Sequence, residues 1–416
     1  MRQNNNTPMG PIQCHGPKVT NKPTRTRVWK TAVVVACVAI TGGTCVTSFF
    51  ALRPWRERRR PILACGAPWT SACFDRRRCV GETGLPEMSI YVHDFNCTKA
   101  LSGEIMAREQ PLGRYSSTQN AALNSFRKLA LERRLLAERM EDACIIVYAV
   151  TTHHRCIVDT SEWNGGRNHL IADFGDVSRD IYGDLRNSKA MWAEGNMQAR
   201  YFRFGYDIAV PIPPKVKIEY LAGIPPTKRK FFATFKGQLY LSGSGSKERE
   251  AIRHVEASAN SSDVVVVERC QVKHKEPLLP EYLELCKNMG DEYSQYDYED
   301  LMNTRFALIP AGRSPTTFRL GEAMSAGAIP IFFHNSFVKP FPDRIPWRLC
   351  SFSFSIEEAS IIIDTLRAVP ERKLILMQRV VLHVYETYFK DHTDGIVKTI
   401  LDTLENRLAF QAERMR

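Results

Sequence analysis

Between Ile309 and Phe333 the chain reads IPAGRSPTTFRLGEAMSAGAIPIFF, with glycine, arginine, serine and proline set between two apolar runs. The flanking runs read as strands, and TTFRLGEAMSAG as a helix that ends at Gly327. A strand-to-helix turn offers unpaired backbone N–H groups and a partial positive charge, which suit an anion. Gly312 lets the backbone come close, and Arg313 or Arg319 adds a bidentate, charge-assisted contact of the kind phosphate accepts. Arg319 and Glu322 stand at i and i+3 and project from one helix face. A carboxylate there suits hydroxyls, such as those of a ribose. The alternative is a surface helix on which Arg319 and Glu322 pair with each other.

A second turn of this kind lies upstream. FKGQLYLSGSGSKER places Lys236, Gly237, Gly243, Gly245 and Arg249 around another strand end. Two anion-suited turns point toward a diphosphate, although a Gly-Ser loop alone is ordinarily a flexible connection. Neither turn matches the P-loop spacing, which argues against nucleotide hydrolysis. The chain has no strict Asp-x-Asp to hold a diphosphate through a divalent cation; arginine, lysine and helix dipoles are the expected substitutes. His153 and His154 are adjacent, so on a strand they face opposite sides and make a poor metal pair.

These turns need elements to position them. Met88–Phe95 is β-rich, Asn120–Met140 has the spacing of an amphipathic helix, and DACIIVYAV reads as a buried strand. Strand, helix and apolar strand in succession imply a parallel sheet. The proline-rich passages Tyr206–Lys215 and Gly223–Lys230 link this half to a second. There KFFATFKG, SDVVVVERC, FALIP and AIPIFF are expected strands, KEREAIRHVEASA a helix, YEDLMNTR a short helix, and ERKLILMQRVVLHVYETYFKDH a long one. The expected class is α/β, with two Rossmann-like halves facing a cleft that receives the strand C-termini.

The length of 416 residues suits two domains and a tail, and the net charge of +12 favours acidic partners. Much of that charge flanks residues 31–52, a run of 22 uncharged residues. As a helix it reaches about 33 Å, enough to span a bilayer. It is expected to be a single-pass signal-anchor after a cytosolic tail (1–30). A cleavable signal peptide is the alternative. Three of the twelve cysteines lie in the tail or anchor, which leaves nine, an odd number. CFDRRRC, from Cys73 to Cys79, looks like a small disulfide loop in an exported stem (53–85). Sequons at Asn96 and Asn260 fit a luminal globule.

The sequence resembles the exostosin family, glycosyltransferase family 47, and within it the heparan sulfate exostosins. The likeness is carried in order by GGRNHLIADF, FRFGYDIAVP, FKGQLYLSGSGSKEREAIRHV, YSQYDYEDLMNTRFALIPAGRSPTTFRLGEAMSAGAIPIFF and KPFPDRIPW. It implies a GT-B fold with an acceptor domain (86–222), a UDP-sugar-binding domain (223–395) and a C-terminal helix (396–416). It further implies an inverting, metal-independent transferase, type II in the Golgi or endoplasmic reticulum membrane. By position, donor binding falls on Lys236, Tyr240, Arg249, Tyr293, Tyr298, Gly312, Arg313, Arg319 and Glu322. An aromatic pair among these tyrosines would stack on uracil, Lys236 and Arg249 meet the diphosphate, and Glu322 meet the ribose. Arg167, Asn168 and His169 fall on the acceptor side, and Cys270 and Cys286 join the disulfide candidates. The implied reaction is transfer of glucuronic acid from UDP in β linkage to a glycan ending in N-acetylglucosamine. Alternatives are another UDP-sugar donor (galactose, xylose or arabinose) or a non-catalytic partner in a hetero-oligomer. No nucleic-acid partner or cofactor beyond the donor is expected.

Three departures stand out. Ala311 replaces an arginine common in the family loop, Gln238 replaces a basic residue, and TTHHRC replaces a loop with an aspartate. Against the resemblance, the sequence is expected to carry one transferase module, so a two-sugar repeat is expected to need a second protein. Asp94 and Asp173 are candidate bases, but each suits a turn equally well, and no catalytic residue is assigned.

Overall fold

The computed structural model describes residues 69–413, apart from 82, 94–114, 150–160, 177–186, 241–244, 271–279, 313 and 334–336. The expected span at 31–52, Asp94, the sequon at Asn96 and Arg313 lie outside the described residues. Among those described, no helix is long and apolar enough to cross a membrane.

Two five-stranded sheets, each parallel throughout, form the frame. The first holds β1 (Ile90–Val92), β2 (Ile145–Ala149), β3 (His169–Asp173), β4 (Met191–Glu194) and β5 (Ile208–Ala209) in sequence order. β2, β3 and β4 are buried at every position, the pattern of strands covered on both faces. Helix α1 (Tyr115–Glu132) packs on β1 and β2. It stops eight residues before the expected Met140. Arg134 turns to φ 59°, Leu135 N–H closes on Ala130 O at 2.7 Å, and the chain leaves to bond Ile90.

The second sheet runs β10-β9-β8-β6-β7. Its elements are β6 (Phe231–Leu239), α2 (Ser246–Ala259), β7 (Val264–Cys270), α3 (Pro280–Gln295), β8 (Thr304–Ile309), α4 (Arg319–Ser325), β9 (Ile329–Phe332) and β10 (Phe352–Ser353). Then follow α5 (Ile362–Arg367), α6 (Glu371–Val384) with a π turn at Tyr385–Phe389, and α7 (Asp394–Glu413). The expected YEDLMNTR helix is only a 3-10 turn, Asp300–Met302.

The C-terminal helix α7 returns to the first half, packing on α1. Arg133 reaches Asp402 and Glu405 at 2.7 and 3.1 Å, and Lys128 reaches Asp394 at 2.7 Å. On the second half, Phe341 N–H bonds Ala209 O at 2.8 Å and Val338 N–H bonds Met197 O at 3.0 Å, so the halves are tied directly.

The disulfides correct one expectation. Cys79 bonds Cys144, not Cys73, and ties the segment before β1 to the start of β2. Cys73 is disulfide-bonded as well, but the small loop does not form. Cys270 bonds Cys286, joining the end of β7 to α3. Cys350 is a free, buried thiol.

Candidate functional site

In a parallel sheet, ligands gather at the strand C-termini. There the two turns singled out in the sequence meet backbone to backbone. Gly245, at φ 80°, caps α2, and a Cβ on it would stand 2.5 Å from Ala311 O and 2.6 Å from Gly312 O. Only glycine fits so close an approach at positive φ. Arg249, one turn into α2, bridges the pair by donating to Gln238 O and, at 3.2 Å, to Ala311 O. Its guanidinium stacks on Tyr240 at 4.3 Å and Phe235 at 5.0 Å. It is 5% exposed, has no acid hydrogen-bonded to it, and its Nε–H has no partner. Burial pulls its pKa below the usual arginine value.

Arg319 repeats this arrangement from α4. It is 4% exposed, and Nε donates to Leu308 O at 3.1 Å while Nη2 donates to Thr234 O at 3.0 Å. Nη1 is buried without a partner. A buried guanidinium with an unmade hydrogen bond is costly unless a ligand completes it.

Arg319 and Glu322 do not pair with each other. Glu322 accepts from Lys215 N–H at 3.2 Å and from the Tyr298 hydroxyl. Both carboxylate oxygens are therefore engaged, although each keeps lone-pair capacity for a further donor. Burial and the carboxylate together push the Tyr298 phenol pKa up. The other face of α4 seats the linker between halves: Pro214 lies 3.2 Å from where a Gly321 Cβ would be, and Ile218 N–H bonds Ser325 Oγ at 2.9 Å. The helix is only seven residues long, and side chains already take up two N–H groups at its entry. Thr316 N–H bonds Asn196 Oδ1 at 3.3 Å, and Arg319 N–H bonds Thr317 Oγ1 at 3.4 Å. At this turn the Arg319 guanidinium keeps a buried donor open.

The aromatic side of the site comes from α3. Tyr293 lies beside two cations, Lys236 Nζ at 4.1 Å and Arg269 at 5.0 Å from its ring centroid. Lys236 donates to Tyr296 O; burial lowers its pKa, Asp297 opposes that and Arg269 adds to it. The Cys270–Cys286 bond holds α3 against β7, and Tyr293 lies two turns beyond Cys286. Sequence reading missed α3 and Arg269 altogether.

Across the cleft the first half contributes Asp176, whose carbonyl accepts from Ser314 Oγ at 2.7 Å, and the buried Asn196. Asp173 is buried at the end of β3 and accepts from Gly175 N–H at 2.9 Å, a turn-capping bond. Arg167, Asn168 and His169 stand at the other end of β3, about 13 Å away along the strand. Asn168, at φ 59°, clamps Asp75 and Cys144 O by hydrogen bonds of 2.7 to 2.9 Å. His169 is buried, stacked on Tyr148 at 5.4 Å, with its pKa pulled down to about 4 by burial. Asn260 is exposed at the end of α2 in a left-handed conformation. Among the described residues, no group of three or more His, Cys, Asp or Glu side chains is arranged to hold a metal ion.

Two parallel sheets, with two arginine-bearing strand-to-helix turns meeting at one C-terminal edge, define an α/β protein. The Exostosin GT47 domain family matches residues 84–369, more than half of the chain, and the chain belongs to that family. Exostosin-1b of Danio rerio is 31% identical over 272 residues, 61% of this chain and 35% of that protein. The Exostosin-1 homolog of Caenorhabditis elegans is 24% identical over 372 residues, 82% of this chain and 91% of that protein. The chain thus spans about a third of the length of the vertebrate relatives it matches. Among solved structures, a glycosyltransferase from Rickettsia africae aligns with a TM-score of 0.37 at 8% identity, over 73% of this chain and 84% of that one. That likeness is too slight to define the fold.

Proposed function

We propose that this chain is a UDP-sugar-dependent glycosyltransferase with a GT-B arrangement, one that transfers glucuronic acid with inversion to a glycan acceptor. The observation that carries the reading is the pair of buried guanidiniums, Arg249 and Arg319, each with an unmade hydrogen bond at the meeting of two strand-to-helix turns. In this reading their open N–H groups and Lys236 neutralise the charge that grows on the leaving diphosphate. That role needs no metal ion, which is the reaction type proposed. Tyr293 and Tyr240 offer ring faces to the uracil, and Glu322 offers its remaining lone pairs to the ribose. The acceptor enters from the first half, past Asp176 and Asn196. Residues 31–52 anchor the chain in a Golgi or endoplasmic reticulum membrane, with the transferase in the lumen.

The test is a donor screen on the protein with UDP-glucuronic acid, UDP-N-acetylglucosamine, UDP-galactose and UDP-xylose. Heparosan-type oligosaccharides serve as acceptors, and EDTA is present throughout. Transfer of glucuronate alone is the expected result. Transfer from another donor would replace the sugar assignment. Activity that appears only when divalent cation is restored would overturn the metal-independent mechanism.

A further inference from the structure

Glu268 is a charged residue in an apolar strand, VVVVERC, in phase with the buried Val264 and Val266. It is 3% exposed, and neither carboxylate oxygen has a hydrogen-bond partner. Its Cα partner across the sheet is Gly237, so the two residues share a face. The space above Gly237 is filled by the Phe235 ring, 2.4 Å from where a Cβ on Gly237 would stand, and by Arg249, whose Nη1 lies 2.9 Å from it. Arg253 Nε lies 3.8 Å from Glu268 Oε2. A buried carboxylate with no hydrogen bond, ion-paired only with Arg253, thus sits near the Arg249 guanidinium, which has its own unmade hydrogen bond.

We propose that Glu268 is a positioning residue whose protonation state sets how much of the Arg249 charge is available to a diphosphate. This inference rests on the donor-site reading above. Burial lifts the Glu268 carboxyl to about 7, against the opposing pull of Arg253 and Arg249. The charged groups facing it from α2 are Arg249, Arg253 and Glu256; β6 presents Phe235 and Gly237, neither of which titrates. Glu256 adds a like charge and accepts from Val266 N–H at 2.7 Å. Arg319 acts on Arg249 as a like charge.

The sign follows directly. Below its pKa Glu268 is neutral, and Arg249 presents its full charge to the diphosphate. Above it the carboxylate offsets that charge and repels the ligand. Binding of the anion therefore favours the acid form and takes up a proton.

The experiment is calorimetric titration of UDP into the protein and into Glu268→Gln at pH 6, 7 and 8. UDP's own phosphate titration is common to both proteins, so the difference between them belongs to Glu268. The proposal expects the native protein to lose about three- to tenfold more affinity from pH 6 to 8 than the variant, the equivalent of roughly half to one pKa unit of coupling. Equal pH slopes would overturn it while leaving the donor site standing. Absence of UDP binding at every pH would overturn both. Should Glu268→Gln not fold, proton uptake by the native protein decides, from binding heats in two buffers of different ionisation enthalpy. Uptake at pH 7.5 is the expected result; none would overturn the proposal.

Discussion

Buried arginines in the two halves have opposite arrangements. In the first half, Arg203 binds the Asp207 carboxylate through Nε at 2.9 Å and Nη2 at 2.7 Å, and both side chains are almost wholly enclosed. In the second half, Arg249 and Arg319 have no acid partner: they donate to backbone carbonyls, Arg319 also to the Thr234 hydroxyl at 3.5 Å, and each keeps an open N–H. Burial is therefore not what separates them. Arg229, also buried, marks the boundary. It uses only carbonyls, those of Ile224, Met302, Leu221 and Ala326, and all three of its nitrogens are engaged. Every nitrogen of Arg229 is in use within the fold, whereas Arg249 and Arg319 each keep one buried donor free, which in the proposed function the diphosphate would complete.

The sharpest way to break this comparison is to remove the partner of the enclosed pair. Asp207→Ala leaves Arg203 buried and uncompensated, and should lower stability by about 3–5 kcal/mol. A thermal melt with little change would show that the pair is not what holds β4 and β5 in place. Next, Arg319→Ala should weaken UDP at least tenfold, through loss of a charge-assisted hydrogen bond. Far-UV circular dichroism checks that the fold survives. If UDP still binds normally to a folded variant, Arg319 belongs with Arg229 as a brace. A smaller effect is expected on the aromatic side. Tyr293→Ala should cost roughly five- to tenfold in UDP affinity, near the lower end of base–aromatic stacking. Fluorescence titration can measure it.

Buried histidines in both halves give a pH response. Burial depresses His169 to about 4 from an ordinary 6.5, so the native state resists a proton that the unfolded chain accepts. Stability attached to His169 is complete above pH 6.5 and is lost as pH falls toward 4. His392, also depressed to about 4 by burial, adds to the same loss. His169→Phe should flatten the loss of stability between pH 6.5 and 4 by about 1–2 kcal/mol, read from urea midpoints at several pH values. An unchanged slope would mean that His169 is not held neutral.

How much of this was legible in the sequence depends on distance along the chain. The two turns were visible because glycine, arginine and strand ends lie within a few residues of each other. Their meeting at Gly245 and Ala311 was not, because it depends on β6 lying beside β8. Arg319 and Glu322 share a helix face, as i,i+3 spacing implies. Their partners, Thr234, Tyr298 and Lys215, come from three other segments, which spacing along one helix does not reveal. Cys79 shows the same limit, since its partner is 65 residues away and Cys73 is the nearest cysteine in the sequence. Glu268 was readable and missed. Period-two alternation puts it on the buried side with Val264 and Val266, where a carboxylate is out of place unless it has a task.

The most direct test of the central claim is a calorimetric comparison of UDP with uridine on the native protein at low and physiological salt. If the open donors of Arg249 and Arg319 seat a diphosphate, UDP should bind about a hundredfold more tightly than uridine, with an advantage that shrinks as salt rises. Equal affinities for UDP and uridine would contradict the account, because the two buried arginines would then have no anion to complete them.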